Sequence, residues 1–383
     1  MDLISIIIPA YQAARHITQT LESALSQTYA PIEIIVVDDG SPDHTEAVVR
    51  SSASITHDRV RYLRTSNGGV ASARNTGFAH SRGSAVLFLD HDDLIRPDHL
   101  SNLKQALDAS PECGVAYSAA YYLDEAGETN LGELRVPLQG HLLVALVMRK
   151  AALPSPGVGL VRRDVVTRVG GFDRRFSTLA DLDFWIRIAR AGHAFAYVDA
   201  PSFGYRIRPD SMSSEVHKQE LEDFALLERV FAEQPISDEL LQLRSDAYAI
   251  AYYDNAARYY RVGDIDRGRD RLRQAIDASA HLANDGSGLL DWVAFNAMSP
   301  RTANPGGFMD TVFAHLPPNA RMLRQLQTTA YGNYHIQSAF QAYRQHRYQE
   351  VIPHLWPGMR GNPGILRNKG FLSLSIKSLL RRV

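Results

Sequence analysis

The sequence predicts an α/β protein in two parts, a Rossmann-like, mostly parallel sheet flanked by helices and then an all-α region. Three observations carry this reading. Residues 3–8 and 32–37 are β-branched runs apolar on both faces, as interior parallel strands are. Ile17, Leu21, Ala24 and Leu25 recur between them at helical spacing, which makes a βαβ unit. From about Glu215 such runs vanish, and stretches rich in tyrosine, alanine and arginine take over. A chain of 383 residues is long for one domain, so the expectation is a ligand-binding domain over 1–215 and a helical domain over 216–383.

The elements follow in order. Pro9 closes the first run and Asp38-Asp39-Gly40 the second. A short strand at 60–63, a helical stretch at 71–80 and a strand at 85–89 continue the pattern, and the last runs straight into Asp90-His91-Asp92-Asp93. Ligands of open parallel sheets bind beyond the carboxyl ends of the strands, so these loops converge on one crevice. In the second part, the segment from Tyr260-Arg261-Val262-Gly263-Asp264-Ile265 to Leu272 can be laid over that from Tyr343-Arg344-Gln345-His346-Arg347-Tyr348 to Leu355. Each reads as helix, tight turn, helix. The pair is similar to tetratricopeptide-type hairpins, although the repeat period is not kept. Pro235, Pro300, Pro305 and Pro317-Pro318 interrupt the helices.

Composition narrows the function classes. A net charge of −1 supplies no general attraction for nucleic acid, so any basic surface must be local. The single cysteine, Cys113, can form neither an internal disulfide nor a thiolate cage, and its apolar neighbours make it a core residue. No leader precedes the first strand and no window reaches the ~18 uninterrupted apolar residues of a spanning helix, which implies a cytoplasmic protein.

The chemistry concentrates at strand ends. Three carboxylates in Asp90-His91-Asp92-Asp93 raise one another's pKa unless a cation sits among them, and oxygen ligands suit magnesium or manganese, which can also hold two phosphates. A solvated acidic turn is the plainer alternative. Asp39 ends the second strand as Pro9-Ala10-Tyr11 ends the first, so a carboxylate able to accept a uracil imide N–H and a ring able to stack on a base flank one edge. As a plainer role, Asp39 sits in a turn and helix cap. Asn67-Gly68-Gly69 precedes a helix carrying Arg74 one turn in, and backbone N–H groups, a helix start and a guanidinium suit phosphate oxygens.

Ser5-Ile6-Ile7-Ile8-Pro9-Ala10-Tyr11, Val36-Val37-Asp38-Asp39-Gly40-Ser41, Asn67-Gly68-Gly69 with Ala73-Arg74-Asn75-Thr76-Gly77, and Phe88-Leu89-Asp90-His91-Asp92-Asp93 together resemble the family 2 inverting glycosyltransferases of GT-A fold. The likeness covers roughly residues 3–215. It implies that Pro9, Tyr11, Asp39 and Asp90 hold the nucleoside, that Asp92 holds a metal on the diphosphate, and that Arg74 binds the donor. Ala10, Asn67 and Gly69 join this donor-binding set, and Asp93 supports it.

Inverting transfer also needs a base. Ala180-Asp181-Leu182-Asp183-Phe184-Trp185-Ile186-Arg187 offers two carboxylates, and Leu182, Trp185, Ile186 and Ala189 form an apolar stripe that packs this helix on the body. From local sequence alone, Asp181 is either an N-cap or the base; the resemblance places the base at Asp181, after Gly170-Gly171-Phe172-Asp173. Asp183 would support it by pairing with an arginine such as Arg187. Two departures stand out. Ala180 occupies a position that is acidic in many relatives. In Tyr205-Arg206-Ile207-Arg208-Pro209-Asp210-Ser211, Arg208 replaces a frequent histidine; it could neutralise a diphosphate but ligates metal poorly. The Gln-x-x-Arg-Trp signature of processive synthases is absent, so a single transfer per encounter is expected.

The implied partners are a nucleotide-diphospho-sugar, UDP being the better guess from Asp39, with Mn2+ or Mg2+, and a carbohydrate or lipid-linked acceptor in polysaccharide or glycoconjugate synthesis. The sugar, the acceptor and the linkage would be set by the 113–156 region and by the helical domain, where the sequence carries no readable code. Sugar-phosphate nucleotidyl transfer fits less well, because Pro9-Ala10-Tyr11-Gln12 lacks the glycine-rich loop it uses, and a non-catalytic scaffold would not need intact carboxylates. Leu372, Ile376, Leu379, Leu380 and Val383 make a terminal helical stripe beside Arg367, Lys369, Lys377, Arg381 and Arg382, which could meet an anionic membrane but reads first as a docking face. The helices could also pair two copies of the chain.

Overall fold

The computed structural model describes residues 2–51, 59–151, 153–208, 215–279 and 287–380. Pro209, Asp210, Ser211, Arg381, Arg382 and Val383, read above, lie outside the described residues. The chain divides into two compact units, Met1–Glu222 and Asp223–Val383.

The first unit is built on one sheet. Its opening strands, β1 (Ile4–Ala10) and β2 (Ile32–Asp38), are buried along their whole length, as two-sided apolar runs must be. Helix α1 (Ile17–Leu25) lies between them in sequence and buries Ile17, Leu21 and Ala24, three of the four residues its spacing selects, while Leu25 is half-buried. Next come α2 (Thr45–Ser51), β3 (Val60–Arg64), α3 (Val70–His80), β4 (Ala85–Phe88), β5 (Leu94–Ile95) and α4 (His99–Ala109). They are followed by β6 (Cys113–Leu123), β7 (Asn130–Leu134), α5 (Leu143–Val147), β8 (Gly159–Arg162), α6 (Arg163–Val169), α7 (Ala180–Arg190) and β9 (Ala194–Arg206). The sheet order is β3-β2-β1-β4-β8-β6-β9-β5, with β7 added to β6. The first four strands run parallel. Beyond β4 the sheet is mixed: β8 is antiparallel to both β4 and β6, β9 runs parallel to β6, and β5 is antiparallel to β9.

Register decides where the loops emerge. Ala10 stands opposite Asp38, Asp38 opposite Arg64, and Ile7 opposite Phe88. The segments carrying Tyr11, Asp39, residues 65–69 and Asp90 through Asp93 therefore leave from one edge of the sheet. Helix α3 is held close to that sheet by small residues. A Cβ on Gly77 would sit 2.3 Å from Ile7 Cγ2 and 3.2 Å from Val37 Cγ2, so no side chain fits there. Cys113 is buried at the start of β6, as its apolar surroundings imply.

Helix α8 (Val216–Ala232) contains the division between the units. The second unit continues with α9 (Asp238–Gln242), α10 (Arg244–Arg261), α11 (Ile265–Ala278), α12 (Ser287–Ala297), α13 (Pro305–Ala314), α14 (Gln327–Arg344), α15 (Tyr348–Gly361) and α16 (Lys369–Leu380). The two overlaid segments are helical hairpins, α10–α11 and α14–α15. Gly263 at φ +81° and His346 at φ +59° occupy matching turn positions, both left-handed. Such a backbone favours glycine, and the first turn has one. Among the described residues, no helix is long and apolar enough to cross a membrane.

The terminal stripe needs correction. Helix α16 does dock, but through Phe371 and Leu374, which join Ile336, Ala339, Ala342, Val351 and Leu355 in one core. Leu372, Ile376 and Leu379 stay 40%, 58% and 51% exposed. Helical periodicity identifies a stripe and not the neighbour it faces. The face that packs here is the one centred on Phe371, Leu374 and Ser378.

Candidate active site

At the end of β1, the side chains of Pro9 and Ala10 are buried. They shape the strand end, and Tyr11, 42% exposed, is the one of the three whose side chain is at the surface. Gln12 follows at φ +50°, its N–H donating to Ser41 Oγ at 3.1 Å, which ties the first loop to the second.

Asp38 and Asp39 divide their work. Asp38 is fully buried and accepts from Ser41 N at 2.8 Å and Arg64 Nη1 at 3.2 Å, with the Tyr62 hydroxyl also donating to it. Asp39 reaches instead to the glycine turn, accepting from Gly68 N at 2.9 Å and Gly69 N at 2.8 Å. This corrects one expectation: those amides are engaged by a carboxylate of the neighbouring strand and do not form an open phosphate cradle. A buried carboxylate requires donors, and these are the nearest. Oδ1 also accepts from the Thr65 hydroxyl at 3.4 Å, whereas Oδ2 keeps a lone pair, so the group is pre-oriented and can still accept. Asn67 is exposed beside it.

Helix α3 delivers two side chains one after the other. Arg74 Nη2 binds Asp90 Oδ1 at 2.6 Å while its guanidinium lies 4.9 Å from the centre of the Phe172 ring. Ser155 Oγ donates to the second Asp90 oxygen at 3.1 Å. Asn75 clamps the backbone of Phe172, donating to its carbonyl at 2.8 Å and accepting from its N–H at 2.8 Å. Phe172 stacks on Phe184 with centroids 4.3 Å apart, which anchors α7 beneath the site.

The acidic loop has three distinct members. Asp90 is paired with Arg74. Asp92 binds Arg208 Nε through Oδ2 at 2.8 Å, so this arginine joins the site by gripping the carboxylate read as a metal ligand. Asp93 is buried, and desolvation together with the Asp92 and Asp90 charges pushes its pKa well above the usual carboxylate range. Its Oδ1 accepts from Arg206 N at 3.1 Å. Three residues missed in the sequence complete the loop's surroundings. Arg206, 2% exposed, donates to the Asp92 carbonyl at 2.6 Å, the Glu125 carbonyl at 2.8 Å and Gln19 Oε1 at 2.8 Å. Thr20 Oγ1 donates to the carbonyls of His91 and Asp93 at 2.8 and 3.0 Å. His16 is buried with Nε2 unpartnered, and burial with the Arg206 and Arg208 charges lowers its pKa to about 4. Nothing local distinguishes these three, because their partners lie far away in sequence.

Asp181 is the second residue of α7. It does not cap the helix: the N-cap position is Leu179, without a side-chain cap bond. Glu222 of α8 does the capping from a distance, accepting from Leu179 N at 2.9 Å, Ser177 N at 3.0 Å, Ser177 Oγ at 2.8 Å and Thr178 Oγ1 at 2.9 Å. Asp181 accepts one bond, from Leu182 N at 2.8 Å. Burial raises its pKa to about 6, a rise that the Arg74 charge opposes and the Asp90 charge assists. Arg74 therefore acts on both carboxylates, and Asp90 and Asp181 share one electrostatic neighbourhood. Asp183 is fully buried and bound by Arg187 at 2.8 Å, while the same guanidinium holds the carbonyls of Val169 and Gly171, each at 2.6 Å. That fork fixes the Gly170-Gly171 turn, which Asn75 pins from the other side.

Residues 5–170 match the family model described as glycosyl transferase family 2. The first unit carries a family 2 glycosyltransferase domain. The match contains Asp39, Arg74, Asp90 and Asp92 and stops before Asp181. Relatives agree: an uncharacterized glycosyltransferase of Rickettsia prowazekii is 31% identical over 50% of this chain and 60% of its own length. Another from Rickettsia felis is 31% identical over 49% of this chain but 31% of its own length. The chondroitin synthase of Escherichia coli is 26% identical over 50% of this chain and 27% of its own. The chain thus spans between 27% and 60% of the length of these relatives.

Solved glycosyltransferases share the fold. Staphylococcus aureus TarS 1–349 in complex with UDP-GlcNAc has a TM-score of 0.52 at 18% identity, over 90% of this chain and 92% of that one. The mannosyltransferase PcManGT from Pyrobaculum calidifontis, in complex with GDP-Man and Mn2+, scores 0.53 at 20% identity over 82% and 86%.

Proposed function

We propose that this glycosyltransferase moves a sugar, with inversion at the anomeric carbon, from a nucleotide-diphospho-sugar onto an acceptor hydroxyl, one transfer per encounter. The observation that carries the reading is the state of Asp181. Its carboxyl titrates near 6, its helix is capped by another residue, and it shares the influence of Arg74 with Asp90. A base should titrate near the working pH, and a carboxyl near 6 suits that role while accepting the Leu182 N–H through one oxygen.

In this reading Tyr11, Asp39 and Asp90 hold the nucleoside, Asp39 accepting an imide N–H, which favours uridine. Arg74 keeps Asp90 oriented and, with Arg208, faces the diphosphate. Asp181 accepts the acceptor's hydroxyl proton as that oxygen attacks the anomeric carbon. The bond from that carbon to the diphosphate oxygen breaks on the opposite side, and the leaving group keeps the electron pair. Asp183 and Arg187 hold the helix in place through the glycine turn. The products are the glycoside, the nucleoside diphosphate and the proton on Asp181.

Among the described residues no three His, Cys, Asp or Glu side chains converge to form a metal cage. Asp92 Oδ2 is taken by Arg208, and Oδ1 is the oxygen left for a cation. One carboxylate oxygen suits a hard divalent ion that draws most of its shell from phosphate and water. This donor set fits Mg2+ or Mn2+ arriving with the nucleotide, with Asp92 as its protein ligand. When bound, the ion would supply charge neutralisation to the departing diphosphate. The acceptor, carbohydrate or lipid-linked, is set by the 113–156 region.

Asp181→Asn tests the central assignment. Transfer should fall to background while calorimetry still registers binding of the nucleoside diphosphate, and full activity in that variant would remove Asp181 from the role.

A further inference from the structure

Helices α14, α15 and α16 form one packed group around Ile336, Ala339, Val351, Leu355, Phe371 and Leu374. Its charge is unlike that of the rest of the chain. Residues 327–383 contain eight Lys or Arg against the single acid Glu350, a net of +7, whereas residues 1–326 contain 33 basic and 41 acidic residues, a net of −8. From residue 351 onward the sequence has Arg360, Arg367, Lys369, Lys377, Arg381 and Arg382 and no acid at all.

This positive region also presents apolar surface. Leu372, Ile376 and Leu379 lie within an arc of about 60° on the α16 helical wheel, with Lys369 and then Lys377 continuing round the same exposed side. All five are exposed, and Leu366, just before the helix, is 48% exposed. The aliphatic stripe is separate from the docked face of Phe371, Leu374 and Ser378, so packing within the unit does not explain it. A contiguous exposed stripe of this kind marks a contact surface. We propose that the outward face of α16 rests on an anionic lipid surface, with Leu372, Ile376 and Leu379 entering the acyl boundary and Lys369 and Lys377 meeting lipid phosphates.

The charge distribution selects this occupant. Lysine stems can lie along an apolar surface while their ammonium groups reach the headgroup level, which is the arrangement on this helix. A second copy of the chain would bring two +7 regions together, and a nucleic acid would gain nothing from the aliphatic residues.

The test is co-sedimentation of the full chain with vesicles of phosphatidylcholine alone or mixed in equal parts with phosphatidylglycerol. Binding is expected to the mixed vesicles and not to phosphatidylcholine alone, and it should weaken as salt is raised. Lys369→Gln with Lys377→Gln should lower the partition coefficient about 25-fold, about fivefold for each charge. Ile376→Asp should remove binding, with an unchanged melting temperature in each case because these positions are exposed. Equal binding to both vesicle types, no binding to either, or undiminished binding of the Ile376→Asp protein would overturn the proposal. So would a dimer that Ile376→Asp dissociates. None of these outcomes depends on transferase activity, so a failure here is separable from a failure of the catalytic reading.

Discussion

Replacing Asp181 by asparagine should make the protein more stable at neutral pH while abolishing transfer. The magnitude follows from the carboxyl's environment. Between its ordinary value of 3.8 and about 6, the folded state keeps a proton that the unfolded chain has released. Stability therefore declines as pH rises through that window and is flat above it. At pH 7 the accumulated cost is about 3 kcal/mol, two pH units at 1.36 kcal/mol each. Asparagine carries no such cost and keeps an oxygen to accept the Leu182 N–H. For a unit of this size about 3 kcal/mol corresponds to a rise in Tm of about 6–12 °C. Thermal melts of both proteins should differ by this much at pH 7 and converge as pH approaches 4. An asparagine variant that melts at or below the parent temperature at pH 7, or a difference that does not change with pH, would refute the reasoning.

If Asp181 is the base, the same carboxyl should set the acid limb of catalysis: kcat/KM should fall about tenfold per pH unit below about 6 and be level above it, and a limb centred near 4 would count against that role. Glu222→Gln replaces a carboxylate that accepts four different donors with an amide that can serve fewer of them. It should cost about 2–4 kcal/mol and lower kcat more than it raises the donor KM, which melts and steady-state kinetics would check. Gly77→Ala should destabilise by about 1–3 kcal/mol through the clash with Ile7, and Ile7→Ala in the same protein should recover part of it in a double-mutant cycle; strict additivity would exclude the contact as the cause. Asp92→Ala should make nucleoside diphosphate binding insensitive to Mn2+ in calorimetry, and unchanged metal dependence would place the cation elsewhere.

Much of the sheet is legible in sequence because burial on both faces permits little but β-branched residues, and the βαβ spacing then fixes the order of its first strands. The motif residues are legible for a related reason. Arg74, Asn75 and Gly77 each meet a neighbour that leaves little choice: a carboxylate, a backbone clamp and a sheet side chain 2.3 Å from the place a Cβ would occupy. What escapes is whatever depends on long-range partners. Glu222 looks like any helical glutamate until the start of α7 is placed against it. Asp39 gives no sign that it will engage Gly68 and Gly69, and Arg206 none that it will be buried under the acidic loop. In α16 the period is right and the face wrong, since two stripes of similar apolarity compete and only the surrounding helices decide between them.

The long reach of Glu222 has a practical consequence. Amino-acid texture changes near residue 215, the natural place to cut if a minimal enzyme were wanted. A fragment ending there would lose the carboxylate that engages Ser177, Thr178 and the N–H of Leu179, the N-cap residue of the Asp181 helix. Truncation at the visible seam would remove a keystone, and trimming experiments should keep the first turns of the following helix even when everything after them is discarded.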